Sequence, residues 1–495
     1  MCPARAARIL IEGSEGTNVY GEGVAMSKDL HSFIAKEEQA RPGSVIRVKE
    51  RIDPNRFETI AFLKHLDLRG EQSMVLFEHV LTLGGEPSPF PLFYNPYVTR
   101  QFCADALGMA KLHSKMELSL EVAARELKQG ELETVDPEGA PCKEARLIGA
   151  HADLRILPIP LHHKEDAGPY LTMMCVMKSL EHRFYDITFT KNQYLGPQRL
   201  SLSAHPHHHL EAILQEYEGK NKRAPVIIVL GHHPAFSLSS CCLTAFGNDD
   251  YRTAAAFLQE PLRLTPSETW GKEFLVPADA EVIIEGEVPP HVRETQNPFG
   301  EIFGYYQPEM KVPVIEVTAI TFRKNGIVQD IWPGQMDHWN LGGIPKEGSM
   351  FNVIKKNVPG INAIHLPPSG CGRVTCYISI TKEFENEPRK AAMQAFIEIP
   401  TLKLAVVVDE DIDVFNEREV MWAVGTRTHW DQDLEVIRKV MGVRGWLGDA
   451  VAIIDATRPL KGDFPRRNEV PQDAMERVGV SEYLADSRVH DKEKC

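Results

Sequence analysis

The pattern of apolar and polar positions changes style twice along the chain. Over residues 29–34 the spacing predicts a helix, and residues 44–48 and 74–78 read as strands. Such signals alternate to about Leu118, as an α/β or α+β opening domain requires. The middle third is dominated by strands, at 170–177, 184–190, 225–231, 281–287 and 312–321. The alternating run Glu281-Val282-Ile283-Ile284-Glu285 predicts a half-buried strand. Two helices are expected among these strands, at 209–217 and 251–259. Many strands with few, short helices predict a barrel-like β domain. Beyond residue 346 alternation returns: helices at 346–356, 389–397 and 417–424, and strands at 374–380 and 403–409, predict an α/β domain.

The segments left over are a loose leader at 1–25 and a polar tail after Pro459. No apolar run approaches the roughly 20 residues that span a bilayer. The first residues turn acidic too soon for a secretory signal. At 495 residues the chain has room for two to four domains, and 43% hydrophobic with 25% charged residues is ordinary for a globular protein. A net charge of −14 argues against general nucleic-acid binding, which needs basic surface. Nine cysteines without paired spacing read as reduced thiols, and the cytoplasm is the expected compartment.

Candidate chemistry gathers in the middle third. In the stretch from Glu285 to Tyr306, acidic side chains sit on a loop stiffened by proline and glycine, a place suited to proton transfer. Its bland reading is a polar loop at a barrel edge. His205, His207, His208 and His209 crowd together and His232-His233 follow a strand, but consecutive histidines cannot all face one ion. Asp249-Asp250 precede a helix, where capping accounts for one of the two. Hydroxyls and backbone N–H groups around Ser237–Ser240 offer a phosphate nest. GxGxxG, P-loop, GxSxG and HExxH patterns are absent. Asp409-Glu410-Asp411-Ile412-Asp413 lacks the glycine and closing glutamate of a calcium loop, and reads as a turn into a helix.

Three groups of residues resemble the UbiD family of reversible decarboxylases, over roughly 29–459. They are Glu285-Gly286-Glu287 with Asn297-Pro298-Phe299-Gly300-Glu301 and Gly304-Tyr305-Tyr306; the run 408–423; and Ile454-Asp455-Ala456-Thr457. The resemblance implies an α+β multidomain fold: an α/β N-terminal domain at 26–125, a split β-barrel flavin domain at 126–328, and an α/β oligomerisation domain at 329–470, with a tail at 471–495.

It also implies a site, position by position. The family's second catalytic acid falls on Glu301, a match. The first acid falls on Gln296 and the arginine on Lys191, both departures. The metal-binding asparagine becomes Asp186, the histidine falls on His209 with His208 one register away, and the glutamate becomes Asp250. Ser239, Ser240 and Cys241 align with a segment touching the flavin. Lys191 keeps the cation but loses the bidentate fork of arginine. Gln296 cannot exchange protons, which puts more of the acid work on Glu301, with Glu294 as a possible compensating acid. Burial near Phe299 is expected to raise the pKa of Glu301. His338, among Trp339 and other apolar neighbours, is a candidate at the substrate pocket, although a lone histidine is more often structural.

The function implied is non-oxidative decarboxylation of an aromatic or heteroaromatic acid, with prenylated FMN as covalent electron sink. Mn2+ or another divalent ion and K+ would accompany it, a flavin prenyltransferase would supply the cofactor, and the chain would form a homodimer or homohexamer. Two rivals stand beside this reading: an FMN oxidoreductase on a split barrel, and a non-catalytic or partner-dependent subunit.

Overall fold

A computed structural model describes residues 28–109, 112, 114–203, 208–440 and 448–478. The expected leader, His205 and His207 lie outside the described residues. The chain divides into two compact units, residues 1–353 with 364–375, and residues 354–363 with 376–495.

The first unit opens with a four-stranded sheet of Val45–Ile52, Met74–Val80, Leu92–Tyr94 and Val328–Gln329, preceded by the helix Leu30–Ala40. Its central feature is a closed barrel of six antiparallel strands: β1 (Tyr170–Lys178), β2 (Tyr185–Gly196), β3 (Arg199–Ser201), β4 (Ala224–Val229), β5 (Val282–Val288) and β6 (Val314–Phe322). The order is β5-β4-β1-β2-β3-β6, and pairing of β5 with β6 closes the ring. Eight consecutive positions of β1 are buried, so both of its faces are covered and no in–out alternation survives. At the closing pair the register shifts between Glu285 and Gly286. A Cβ on Gly286 would lie 2.5 Å from Ile315 Cγ2, so glycine lets the two strands meet there.

The prediction that β5 is half-buried is corrected. Glu281 and Glu285 are fully buried, as are the apolar residues between them. Glu281 is held by Arg323 at 3.2 Å, His31 at 3.0 Å and the Ile327 N–H at 3.1 Å. Charge alternation here reflects paired carboxylates in the interior. Four helices matter for the site: α1 (His209–Glu218), α2 (Pro234–Ser239), α3 (Asp250–Leu258) and α4 (Met336–Lys355). The last begins ten residues before the expected start at 346. Gly342, Gly343 and Pro345 disguise it in the sequence, yet Gly342 is where the Arg373 guanidinium approaches, 2.9 Å from a would-be Cβ.

The second unit is built on a five-stranded sheet in the order Ile361–His365, Thr375–Ile380, Leu404–Asp409, Val451–Ala456, Leu434–Ile437, with the helices Glu387–Glu398 and Glu417–Arg427. The acidic run at its strand end is a structural node: Arg427 bonds both Asp409 and Asp411, and Arg458 donates to Asp409. This accords with the reading against calcium.

Candidate active site

Asp186 lies near the start of β2, buried to 2%, and its Oδ2 accepts from the Thr188 hydroxyl at 2.8 Å. Its Oδ1 stands 3.3 Å from Nδ1 of His209, the first residue of α1. The hydrogen bond to Asp186 raises the His209 pKa above the ordinary histidine value, burial opposing it. Asp249 caps α3 by accepting from the Tyr251 N–H at 3.0 Å, which leaves the next residue, Asp250, to face the site. Asp250 accepts from the Ile187 N–H at 2.9 Å and the Thr244 hydroxyl at 3.2 Å. Burial, with the Asp186 charge nearby, pushes its pKa up to about 7.

These three residues share one wall of a cavity of about 290 Å³, completed by Ser203, Ser239–Cys242, Lys346 and Arg373. Of the two histidines left open by the sequence, His209 meets Asp186, while His208 is exposed at the rim. The hydroxyls of Ser239 and Ser240 are directed back to Phe236 O and Ser237 O, each at 2.7 Å, so the expected hydroxyl nest is not formed by these two.

Lys346 was not anticipated. Its ammonium is buried and donates to Gly342 O at 2.8 Å and Cys241 O at 3.1 Å, and burial lowers its pKa to about 8. Arg373 and Lys346 add positive charge to the lining, and Ser203 Oγ is buried without a partner among the described residues. Cations together with two carboxylates and an imidazole fit an anionic group bridged by a divalent ion. The three acidic and histidine ligands are not fully converged. Among the described residues, the trio with all ligand atoms within 4.8 Å of one another is Glu181, His182 and Glu216, none of which lines this cavity. There Glu216 is already the acceptor for Ser179 and two backbone N–H groups.

Glu301 follows a two-residue strand, Phe299–Gly300, paired with Tyr306–Gln307. It is 4% exposed; its carboxyl accepts from the Ile302 N–H at 3.1 Å and stands 3.7 Å from the Lys191 ammonium. That ammonium also sits 5.7 Å from the Phe299 ring centre. Gln296 is fully buried; its amide donates to Lys191 O at 3.1 Å, and its Oε1 has no hydrogen-bond partner among the described residues. His338 accepts from the Gly334 N–H through Nδ1 at 3.3 Å. Burial, with the positive charges of Lys191 and Arg373, holds its pKa well below the usual histidine value. Glu301 and Lys346 are also among the charges that act on it, Glu301 opposing the shift.

Other acids of the 285–306 stretch are not available for proton transfer, which corrects the broader expectation. Glu285 is buried against Lys143 and residues 267–269, Glu287 pairs with Arg223 at 2.6 Å, and Glu294 pairs with Arg199. Sequence reasoning missed Lys346, Arg373, His163 and Asp166.

Two family descriptions match the chain: the 3-octaprenyl-4-hydroxybenzoate carboxy-lyase Rift-related domain over residues 133–336, and the C-terminal domain of the same carboxy-lyase over 339–444. The chain belongs to the UbiD family. Anhydromevalonate phosphate decarboxylase of Methanosarcina mazei is 31% identical over 359 residues, covering 70% of this chain and 82% of that protein. Gallate decarboxylase of Lactiplantibacillus plantarum is 30% identical over 326 residues, covering 62% and 66%. Among solved structures, the UbiD-class enzyme HmfF from Pelotomaculum thermopropionicum in complex with FMN superposes with a TM-score of 0.85 at 32% identity, covering 92% of this chain and all of that one. An evolved dimeric form of HmfF in complex with prFMN gives 0.83. Membership of the UbiD family makes the chain a carboxy-lyase.

Proposed function

We propose that this UbiD protein is a reversible, non-oxidative decarboxylase of an aromatic or heteroaromatic carboxylic acid, with prenylated FMN as cofactor and Glu301 as proton donor. The observation that carries the reading is the buried Glu301 carboxyl beside Lys191, on a loop whose Phe299 ring borders the same ammonium. When bound, the prenylated flavin supplies an electron sink for the carbon that loses CO2.

The chain's own residues do the rest. Lys191 orients the substrate carboxylate as a point charge and keeps Glu301 in place by its attraction. Glu301, shielded from water, delivers the proton to the carbon vacated by CO2, and in the reverse direction accepts it. Gln296, unable to exchange protons, fixes the Lys191 backbone and offers Oε1 as an acceptor to substrate. His338 presents a neutral ring beside these groups. Asp186, His209 and Asp250 would hold a divalent ion, Mn2+ being suited to two carboxylates and one imidazole, and Lys346 with Arg373 would take the flavin phosphate. K+ as a second ion, supply by a flavin prenyltransferase and assembly as a homodimer or homohexamer complete the proposal. Gallate decarboxylase and phenolic acid decarboxylase among the relatives support an aromatic substrate.

The test uses protein co-expressed with a flavin prenyltransferase. Phenolic, indolic, pyrrolic, furanic and cinnamic acids are incubated with it in D2O while CO2 release and ring-proton exchange are followed. Release or exchange with one aromatic class is expected. Protein that carries no flavin, or that acts on non-aromatic enoates alone, would overturn the corresponding part of the proposal.

A further inference from the structure

The loop that carries Glu301 is held from outside by a segment with no assigned role, residues 162–167. Asp166 has a side chain 2% exposed, and its two oxygens are divided between two backbone donors: Oδ1 accepts from the Gly300 N–H at 2.8 Å, and Oδ2 from the His163 N–H at 2.9 Å. The Phe299–Gly300 peptide, one before the peptide that carries the Glu301 N–H, is therefore tied to a buried carboxylate. Burial pushes the Asp166 carboxyl up, but His163, His162 and the Gly300 N–H together outweigh it and leave the pKa below the ordinary aspartate value.

His163 fills the space beside Gly300. That glycine has no positive φ, so backbone conformation does not demand it. A Cβ there would lie 2.1 Å from His163 Nδ1 and 2.4 Å from Cε1, closer than any real contact. Position 300 is glycine because the imidazole occupies the place of a side chain. The ring is fixed in turn. Trp332 Nε1 donates to His163 Nε2 at 3.2 Å, and since an indole N–H can donate and not accept, the proton of neutral His163 resides on Nδ1, 3.6 Å from Asp166 Oδ2. Tyr306, on the far strand of the same hairpin, meets the imidazole edge-on at 6.2 Å and accepts from the Glu165 N–H at 3.0 Å. Ala167 N–H donates to Pro298 O at 3.3 Å.

We propose that Asp166 and His163 are positioning residues for Glu301: a clamp that fixes the Gly300 peptide and thereby sets the direction in which the Glu301 carboxyl delivers its proton. The proposal rests on Glu301 being the proton donor. Downstream the same loop is fixed by Gly304 N–H to Glu301 O at 3.0 Å and Trp339 Nε1 to Ile302 O at 2.8 Å, so releasing the upstream end swings the carboxyl instead of unfolding the loop. A misplacement of about 1 Å costs on the order of 100-fold in rate.

The experiment is a mutant cycle on flavin-loaded protein with two readouts: turnover, and backbone amide exchange of the 298–307 peptide. Gly300→Ala should lower kcat about 10–100-fold with KM and flavin content unchanged. In a His163→Ala background the same change should cost less than about threefold, because the ring that blocks the methyl is gone. Asp166→Asn can satisfy one of the two N–H donors, so amide exchange across 298–307 should quicken while β1 stays protected. Equal cost of Gly300→Ala in both backgrounds, or unchanged exchange and kcat in Asp166→Asn, would overturn the clamp. Should Asp166→Asn not fold, the His163→Ala cycle still decides. Glu301→Gln run in parallel separates the two ideas: full turnover there sinks the proton-donor reading, whereas amide exchange reports on the clamp regardless.

Discussion

Two buried glutamates sixteen residues apart, Glu285 on barrel strand β5 and Glu301 on the hairpin loop, have the same side chain and opposite surroundings. Glu285 takes the Lys143 ammonium at 3.2 Å, the Ser267 hydroxyl at 2.6 Å, and the N–H groups of Glu268 and Thr269 at 3.0 and 2.9 Å. Burial raises its pKa, but Lys143 and these donors outweigh that and hold it below the ordinary glutamate range. Glu301 meets the N–H of the next residue and an ammonium at 3.7 Å, beyond hydrogen-bond reach. Lys143 and three hydrogen-bond donors fix Glu285 in the structure, whereas the proposed function gives Glu301 the proton exchange. Burial alone distinguishes neither, so donor kind and distance do.

The largest effect that would test this contrast is on stability. Glu285→Gln removes one of the two carboxylates that neutralise buried Lys143, Glu268 remaining at 3.3 Å, and should cost up to about 3–5 kcal/mol in denaturant unfolding. The same residue sets a pH dependence. Its folded pKa is depressed, so its contribution is present above the ordinary glutamate range and is lost as pH falls through the depressed value. Wild type should lose this stability on acidification, and Glu285→Gln should show a shallower acid slope.

Next in size is the cavity. Asp186→Ala removes the partner of His209, and we expect flavin and divalent ion to be retained poorly; dialysis of wild type against a chelator should reproduce the loss. Equal flavin content in the variant would count against the ligand set. A smaller change is expected from Gln296→Glu, which puts a carboxyl in a fully buried place where it stays protonated and donates to Lys191 O. Turnover should shift by less than about tenfold, with a new limb in the pH–rate profile. The smallest belongs to Glu294→Gln: an outward carboxyl paired with Arg199 should change turnover less than about twofold.

Strands β1 and β4 were legible because long apolar runs survive in the sequence, whereas β3, three residues long, left no signal. Ring closure was not legible, since pairing of β5 with β6 depends on partners about thirty residues apart and on Gly286, whose need is a neighbour's methyl group. Glu281 and Glu285 read as surface because their counter-charges, Arg323 and Lys143, are 42 and 142 residues away. Helix α4 was read ten residues short because glycines and a proline that serve packing also mimic a break. At the proposed site, Asp186, His209, Asp250, Glu301 and Lys191 were named through family resemblance, not through spacing. Asp166 and His163 lie on irregular backbone 134 residues from Gly300, where no periodicity exists to mark them.

The central claim meets its most direct test in one pair of proteins, Glu285→Gln and Glu301→Gln, loaded with prenylated flavin and assayed for ring-proton exchange in D2O and for unfolding. The account predicts that Glu301→Gln keeps its flavin and its stability yet loses exchange by about 10²–10⁴-fold, while Glu285→Gln loses stability and, where still folded, exchanges normally. Exchange at the wild-type rate in Glu301→Gln would contradict it.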